Sequence, residues 1–260
     1  MKIIALKLPI NLNENTYEEM LNLCPGQRQL SIQKLQKIKD KYRSLFGELL
    51  AKWFISDRLK EPFQNIQFVL DKNGKPNLAG GRIHFNISHS GDWVVVGIHN
   101  DPIGVDIEEV KDFNIFEIAK STFSSEELRY LIKSPKAKQI EIFFKMWTLK
   151  ESWLKCIGSG FLVSPNTFSI LNKRNRYSLE LPTEEFPKLK TLGLKIGNTS
   201  NYRFKLYHLG PGYPISVCIN NRKENHLEFP DNIEIIELNS LMNELRSFKA
   251  SFMIFPEVEK

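Results

Sequence analysis

The sequence predicts an α+β protein built as a pseudo-twofold pair of similar subdomains, each a small antiparallel sheet packed by a long helix. Three observations lead there. Two long helical runs, over 32–59 and 143–160, each contain tryptophan. Each run is followed by alternating segments of β-hairpin character. The hairpin segments also echo each other in order and spacing: F-N-I-S-H-S-G then WVVVGI over 85–98, and F-K-L-Y-H-L-G then YPISVCI over 204–219. A chain of 260 residues accommodates two modest units, and a split near residue 100 would explain the echo, although hairpins of alternating residues also resemble one another by chance.

Taken in order, residues 2–8 (KIIALKL) read as an opening strand, and 17–23 as a short helix stopped by Cys24-Pro25-Gly26. The helical run over 32–59 is broken or kinked near Asp40, and its amphipathic second half carries Arg43 on its first turn. A strand over 66–70 leads into DKNGKP, a turn in which Gly74 supplies conformational freedom and Pro76 ends the bend. Strands over 83–88 and 93–98 flank HSGD, and a third, IGVDIEEV, follows over 103–110. Helices are expected over 115–121 and 125–133, the second opened by a capping box of Ser124 and Glu127. After the helix over 143–160 the chain reads as strands and turns to about 219, then a strand over 233–238 and a short amphipathic helix near 240–248.

Composition narrows the function. Hydrophobic residues make up 42% of the chain, enough for a packed core and against extensive disorder. The net charge of +6, from 36 basic and 30 acidic residues, suits a polyanionic ligand or an acidic protein partner. It is too diffuse for nucleic acid, for which there is neither a recognition-helix motif nor an aromatic platform with interleaved basic residues. Cys24, Cys156 and Cys218 are odd in number and far apart, which supports neither a disulfide framework nor a zinc site. Reduced thiols in a cytoplasmic protein are the expectation. The apolar run at the N-terminus is too short for a signal peptide, and no stretch approaches the roughly 20 apolar residues of a membrane helix.

The helix over 143–160 carries the first chemical signal. At about 100° per residue, Glu141, Lys145, Thr148, Ser152 and Lys155 gather on one polar stripe, while Phe143, Met146, Trp147, Trp153, Leu154 and Ile157 fill most of the remainder. Lys150 falls within the apolar arc and Glu151 at its edge. Buried charges need partners, a metal or a ligand, so a structural ion pair and an active site both stand. On the strand IGVDIEEV, Asp106 and Glu108 project from one face. They repel unless a cation joins them, and an oxygen-only pair suits Mg²⁺, the alternative being a solvated strand edge. Glu151 supplies a third carboxylate, with Lys155 one turn later on the same side, either beside the metal or in a plain salt bridge with Glu151. Such a set suits phosphoryl chemistry: a metal neutralises phosphate, a carboxylate accepts a proton and a lysine stabilises the leaving oxygen. Ser88 and His89, beside Gly91, offer a hydroxyl, an imidazole and turn amides to a phosphate, and no G-x-S-x-G elbow surrounds Ser88. Lys75, Arg28, Lys34 and Arg43 are further phosphate-holding candidates or ordinary surface cations.

In their order along the chain, FNISHS, GVDIE and W-x-x-K-E-S-x-x-K (147–155) resemble the motifs of the 4′-phosphopantetheinyl transferases. The G-K-P turn at 74–76, the F-S-x-x-E element at 123–127 and the length are similar to the two-halved, surfactin-synthetase type of the holo-carrier-protein synthase superfamily. The resemblance spans roughly 1–220 and is sharpest over 74–161. It implies Mg²⁺-dependent transfer of the 4′-phosphopantetheine arm of coenzyme A to a serine of an apo carrier protein, with release of adenosine 3′,5′-bisphosphate. Asp106, Glu108 and Glu151 match the magnesium-binding acids, with Asp106 also in the catalytic set. Glu151 matches the base acting on the serine hydroxyl, although Glu127 lies in a matched element too. Lys155 matches the group that assists the departing phosphate, and Lys150 the lysine that orders the coenzyme site. Ser88 and His89 match coenzyme phosphate contacts, Gly74, Lys75 and Pro76 flank the adenine, and Arg43 and Arg28 lie near the 3′-phosphate. The stretch GQRQLSIQK after Pro25 has fewer basic residues than the family pattern, so Lys34 is a substitute for Arg28.

The expected layout is an N-terminal half over 1–102, a C-terminal half over 103–225 with the metal site, and an extension over 226–260 packing on both. Coenzyme A would lie between the halves, the partner would be an acidic carrier, and one chain would act as a monomer. Two alternatives use the same residues: a Mg²⁺-dependent phosphohydrolase acting on a nucleotide or coenzyme A, and a non-catalytic module that binds carrier proteins.

Overall fold

A computed structural model of the chain describes residues 1–173, 176–194, 196–221 and 228–253. Strand β1 (Lys2–Lys7) leads into α1 (Glu14–Leu21), capped by the Asn13 side chain, which accepts from the Thr16 amide at 2.8 Å. The Cys24-Pro25-Gly26 stop also starts a helix, because Pro25 occupies the N-cap of α2 (Gly26–Gln33), where a missing N–H is harmless. The long helix α3 (Ile38–Leu59) follows. The helical run over 32–59 is thus two helices, and the break falls over 34–37 rather than near Asp40. Asp40 belongs to the first turn of α3, where a carboxylate meets the positive end of the helix dipole.

A small hairpin, β2 (Phe68–Leu70) and β3 (Pro76–Leu78), precedes the larger hairpin β4 (His84–Ser90) and β5 (Trp93–His99). The second half repeats the order. Strand β6 (Ile103–Ile107) is followed by α4 (Ile115–Thr122), α5 (Ser125–Lys133) and the long α6 (Lys136–Ile157). The expected capping box of Ser124 and Glu127 is present at α5. Then come a small hairpin, β7 (Ser169–Lys173) and β8 (Arg176–Glu180), helix α7 (Glu185–Thr191), and the hairpin β9 (Tyr202–His208) and β10 (Pro214–Asn220). Helix α7 was not legible as a helix because Pro187 lies within it; proline is tolerated there in the first turn. The chain closes with β11 (Glu234–Ile236) and α8 (Leu238–Met253).

Topology shows the pseudo-twofold pair. In the first unit β1 pairs antiparallel with β5, and in the second β6 pairs antiparallel with β10, each on the inner strand of the last hairpin. The strand orders are β11-β1-β5-β4 and β6-β10-β9. Helix α3 packs Leu45, Phe46 and Leu49 with Val94 and Val96 of its sheet, and α6 packs Trp153 with Phe168, Tyr202 and Cys218. Between the units a shared core joins Ile3, Ala5 and Val95 to Ile103, Val105 and Val217. The extension adds β11 parallel to β1 and sends Leu241, Met242 and Leu245 of α8 into the first core. The boundary expected at 225 lies outside the described residues.

Two features of the joint between units place the site. Alternate side chains of β4 stand in for a neighbouring strand: Asn86, Ser88 and Ser90 accept the amides of Val105, Ile107 and Glu109 at 2.8, 3.2 and 2.9 Å. That zipper fixes the register of β6 against β4, satisfying amides that would otherwise be buried unpaired. The second feature is close approach. A Cβ on Gly104 would collide with the backbone oxygen of Ser152 and the backbone nitrogen of Cys156, so strand and helix touch backbone to backbone. Thr148 and Ser152, expected on a polar outer stripe, are fully buried on α6. Their hydroxyls donate to Lys145 and Leu149 carbonyls of their own helix, at 3.0 and 2.8 Å, so they pack as small residues. Gly104→Ala should therefore destabilise the protein by about 1–3 kcal/mol, since a backbone obstacle cannot swing aside. Urea denaturation that finds a loss under about 0.5 kcal/mol would show that the strand can retreat from the helix.

Candidate active site

Strand β6 delivers Asp106, the turn beyond it Glu108, α6 delivers Glu151 and Lys155, and β4 delivers Ser88. Asp106 is 3% exposed. Its Oδ1 accepts from the Lys155 ammonium at 2.6 Å and from the Ser88 hydroxyl at 3.2 Å. Ser88 in turn accepts from Lys155 at 2.9 Å, so serine, lysine and aspartate form a closed triangle. The other oxygen, Asp106 Oδ2, is buried and has no hydrogen-bond partner. Glu108 accepts from Ser90 at 3.0 Å and from the Trp147 indole at 3.2 Å. Neither Ser90 nor Trp147 was singled out as functional from sequence. Trp147 lies four residues before Glu151 on α6, and Ser90 alternates with Ser88, so both faces were readable.

The three acids repel one another. Burial raises Asp106 to about 6, against the opposing charge of Lys155, with Glu151 adding to the rise. Burial raises Glu108 to about 7, and the charge of Asp106 adds to it. Glu151 is raised by burial and by Glu108, while Lys155 lowers it. Three carboxylates against one lysine leave an all-oxygen, electron-rich corner, the donor chemistry of a hard dication. Among the described residues, no three His, Cys, Asp or Glu side chains stand close enough to cage a metal ion on their own.

The remaining candidates divide. His89, next along β4, is pulled below a free imidazole by desolvation, then by Lys155, with Arg43 acting in the same direction, so it belongs to the same neighbourhood. Arg43 donates to the Gly91 carbonyl at 2.9 and 2.6 Å and pairs with Asp40 at 2.7 Å, tying α3 to the β4–β5 turn. Arg28 pairs with Glu48 at 2.6 Å and donates to the Ser44 hydroxyl at 2.8 Å. Gly74 sits at the exposed tip of the β2–β3 turn with φ +82°, and Pro76 opens β3. The Lys75 ammonium turns inward, to the Lys155 carbonyl at 2.5 Å and the Ile103 carbonyl at 3.4 Å.

Lys150 is not brought to the acids. At 2% exposed, it donates to Glu127 at 2.6 Å and to the Phe168 carbonyl at 2.7 Å, on another face of α6. Burial pulls its ammonium down to about 8, and Glu127 opposes that pull. Glu127 also accepts the Ser124 and Ile170 amides at 2.9 and 2.8 Å, so its carboxylate is fully engaged away from Asp106. Of the two readings open for Lys150, the ion pair is the one its side chain makes.

Comparison with known proteins decides the family. A family model described as "4'-phosphopantetheinyl transferase superfamily" matches residues 102–218, and one described as "4'-phosphopantetheinyl transferase, N-terminal" matches 11–100. The chain is 30% identical over 244 residues to the 4'-phosphopantetheinyl transferase Sfp of Bacillus subtilis (strain 168), covering 93% of this chain and all of that one. The chain belongs to the 4′-phosphopantetheinyl transferases. It is also 35% identical over 170 residues to the transferase gsp of Aneurinibacillus migulanus, covering 65% of this chain and 71% of that one. Against the transferase psf-1 of Bacillus pumilus it is 30% identical over 252 residues, 95% of this chain and all of that one. In this phosphopantetheinyl transferase, Asp106, Glu108, Glu151 and Lys155 all fall within the superfamily match, and Ser88 and His89 within the N-terminal one. Among the described residues, no helix of the transferase is long and apolar enough to cross a membrane.

Proposed function

We propose that this transferase moves the 4′-phosphopantetheine arm of coenzyme A to a serine of an apo carrier protein in a Mg²⁺-dependent reaction, releasing adenosine 3′,5′-bisphosphate. The observation that carries the reading is Asp106: buried, held on one oxygen by Lys155 and Ser88, and unpartnered on the other. An orphaned carboxylate oxygen beside two further acids fits a divalent ion. Mg²⁺ commonly takes one or two carboxylates and completes its shell with water and substrate phosphate, so it does not need a cage made by protein alone. Asp106, Glu108 and Glu151 would hold it, and it would neutralise charge on the coenzyme pyrophosphate.

The chain's own groups then divide the work. Glu151, whose pKa is raised by burial, takes the proton of the carrier serine as its oxygen bonds to phosphorus. Lys155 stabilises the departing phosphate oxygen. Ser88 and His89 face the coenzyme phosphates, with Arg43 and Arg28 as further cationic partners and the 74–76 turn beside the adenine. An acidic carrier is the natural partner for a chain of net charge +6, and with both units in one chain a monomer suffices.

Incubation of apo carriers with the protein, coenzyme A and Mg²⁺, followed by intact-mass measurement, tests the reaction. The expected result is the added mass of the pantetheine arm on at least one carrier. Coenzyme breakdown without carrier would make water the acceptor and replace this reading with a phosphohydrolase.

The metal has its own signature. Asp106 at about 6 and Glu108 at about 7 hold protons more tightly than in the unfolded chain. Their stabilising contribution is therefore complete below about pH 4 and lost as pH rises through about 6–7. Mg²⁺ competes with those protons. Its thermal stabilisation of the coenzyme-bound protein should be clearly larger at about pH 8 than at about pH 5.5. An equal rise in Tm at both pH values would place the ion elsewhere.

A further inference from the structure

The β2–β3 turn belongs to the first unit, yet its side chains reach the second. Lys72 donates to the Leu192 carbonyl at 2.7 Å, Asn73 to the Gly158 carbonyl at 2.7 Å, and Lys75 to the Lys155 and Ile103 carbonyls at 2.5 and 3.4 Å. Three of these acceptors lie in the last turn or at the C-cap of helices α6 and α7, where the dipole favours a cation; the Lys155 carbonyl also accepts the Gly158 amide, at 3.3 Å. Gly158 closes α6 in the left-handed conformation, φ +67°, which turns its carbonyl toward Asn73. The turn is rigid enough to act as a tool. Asp71 Oδ1 accepts the amides of Asn73 and Lys75 at 2.9 and 3.0 Å, an arrangement that fixes where both side chains leave the backbone.

Lys75 has the most telling position. Its ammonium bridges the two elements that carry the chemistry. Ile103 begins β6, three residues before Asp106, and Lys155 lies in the last turn of α6 and supplies the ammonium that meets Asp106. Lys155 is consequently held at both ends, its carbonyl by Lys75 and its side chain by Asp106 and Ser88. The Lys75 ammonium is also desolvated, which pulls its pKa below that of a free lysine, with only the thiols of Cys156 and Cys218 and the carboxylate of Asp71 to counter it. A lysine that gripped a phosphate would aim into solvent; this one aims into the joint.

We propose that Lys75 is a positioning residue that clamps the end of α6 to the start of β6 and so sets the register of Lys155 against Asp106. This rests on the transfer reaction proposed above. It differs from a ligand contact, because a clamp acts on the chemical step and leaves coenzyme binding largely alone. The clamp is not the only tie between the two elements. Strand and helix remain joined by the close contact at Gly104 and by the Cys156 thiol on the Pro102 carbonyl at 3.2 Å.

The test is Lys75→Met in the full chain, with steady-state loading of an apo carrier read by intact mass, alone and combined with Lys155→Ala. Small misplacements of catalytic groups cost heavily, so kcat should fall roughly 10- to 100-fold, while KM for coenzyme A stays within about threefold. In the Lys155→Ala background the same change should cost less than about twofold, because groups acting through one another are not additive. A raised KM with kcat retained would make Lys75 a coenzyme contact and overturn the clamp. A full additive loss in the Lys155→Ala background, or a wild-type rate in Lys75→Met, would overturn it too. If the wild-type protein loads no carrier at all, the transfer reading fails and the clamp with it; a normal wild type beside a silent Lys75→Met sinks the clamp alone. Should Lys75→Met not fold, Asn73→Ala removes only the Gly158 bond of the same turn. It should lower kcat in the same direction at an unchanged melting temperature, and a silent Asn73→Ala would leave Lys75 a purely structural residue.

Discussion

Glu151→Ala should lower the rate of carrier loading to roughly one-thousandth of wild type or less, because one substitution removes both a base and a metal carboxylate. The fold should survive it. Burial outweighs the attraction of Lys155 and, with the charge of Glu108 added, disfavours ionised Glu151, so its removal relieves a net cost of holding that charge in the fold. A melting temperature equal to or slightly above wild type is expected. Glu151→Gln keeps the shape and should be nearly as inactive, since an amide neither accepts the serine proton nor neutralises a cation. Lys155→Ala should cost less, about 10²-fold, because it removes stabilisation of the departing oxygen and raises Glu151 further but leaves its carboxylate in place. It also leaves Asp106 with neither of its oxygens charge-paired, so it should lower stability where Glu151→Ala does not. Intact-mass loading assays and thermal melts on the same samples separate the two. A Glu151→Ala protein that loads carrier at the wild-type rate would sink the assignment of base and metal ligand together.

That Asp106 and Glu108 lie near one another was legible because it needs only the local spacing of two residues, although the strand ends at Ile107 and Glu108 stands in the turn beyond it. Lys155 was harder. Its neighbour at one helical turn is Glu151, so a local rule pairs those two, whereas the fold pairs Lys155 with Asp106, 49 residues away. Sequence spacing carries no trace of a helix laid across a strand at Gly104. The same holds for the N-x-S-x-S alternation of β4. Only Ser88 of it was read as functional, a phosphate contact, while much of the work of all three side chains is to satisfy amides along and just beyond β6. The echo between the hairpins proved to be the pseudo-twofold repeat, visible because both hairpins carry the same alternation into equivalent sheet positions. Helices α2 and α7 escaped notice for one physical reason: each has proline at its start, where it is harmless, and proline reads as a stop. The polar stripe on α6 misled because serine and threonine hydroxyls bound to their own helix are as easily buried as alanine.

Lys150→Ala should destabilise the protein by about 3–5 kcal/mol, the cost of leaving Glu127 as an uncompensated buried charge. The pair is almost wholly enclosed, at 2% and 1% side-chain exposure, and Glu127 is further fixed by the Ser124 and Ile170 amides. The lysine also lies 4.1 Å from the centre of the Phe168 ring, so its truncation opens a cavity as well as stranding a charge. Lys150→Met fills that space but leaves Glu127 charged, and should recover only part of the loss. Lys150→Met combined with Glu127→Gln removes the charge mismatch and should recover most of it, since a buried ion pair exchanged as a unit costs far less than one partner removed. Urea denaturation of the three variants gives the order. Catalysis supplies the discriminating measurement. With its ammonium on Glu127 and the Phe168 carbonyl, Lys150 is out of reach of Asp106, so the folded fraction of Lys150→Met at low temperature should load carrier with KM for coenzyme A near the wild-type value. A KM raised about tenfold or more in a folded Lys150→Met protein would place the ammonium on the coenzyme during turnover, and the ion pair would then be the resting arrangement of a ligand-binding lysine.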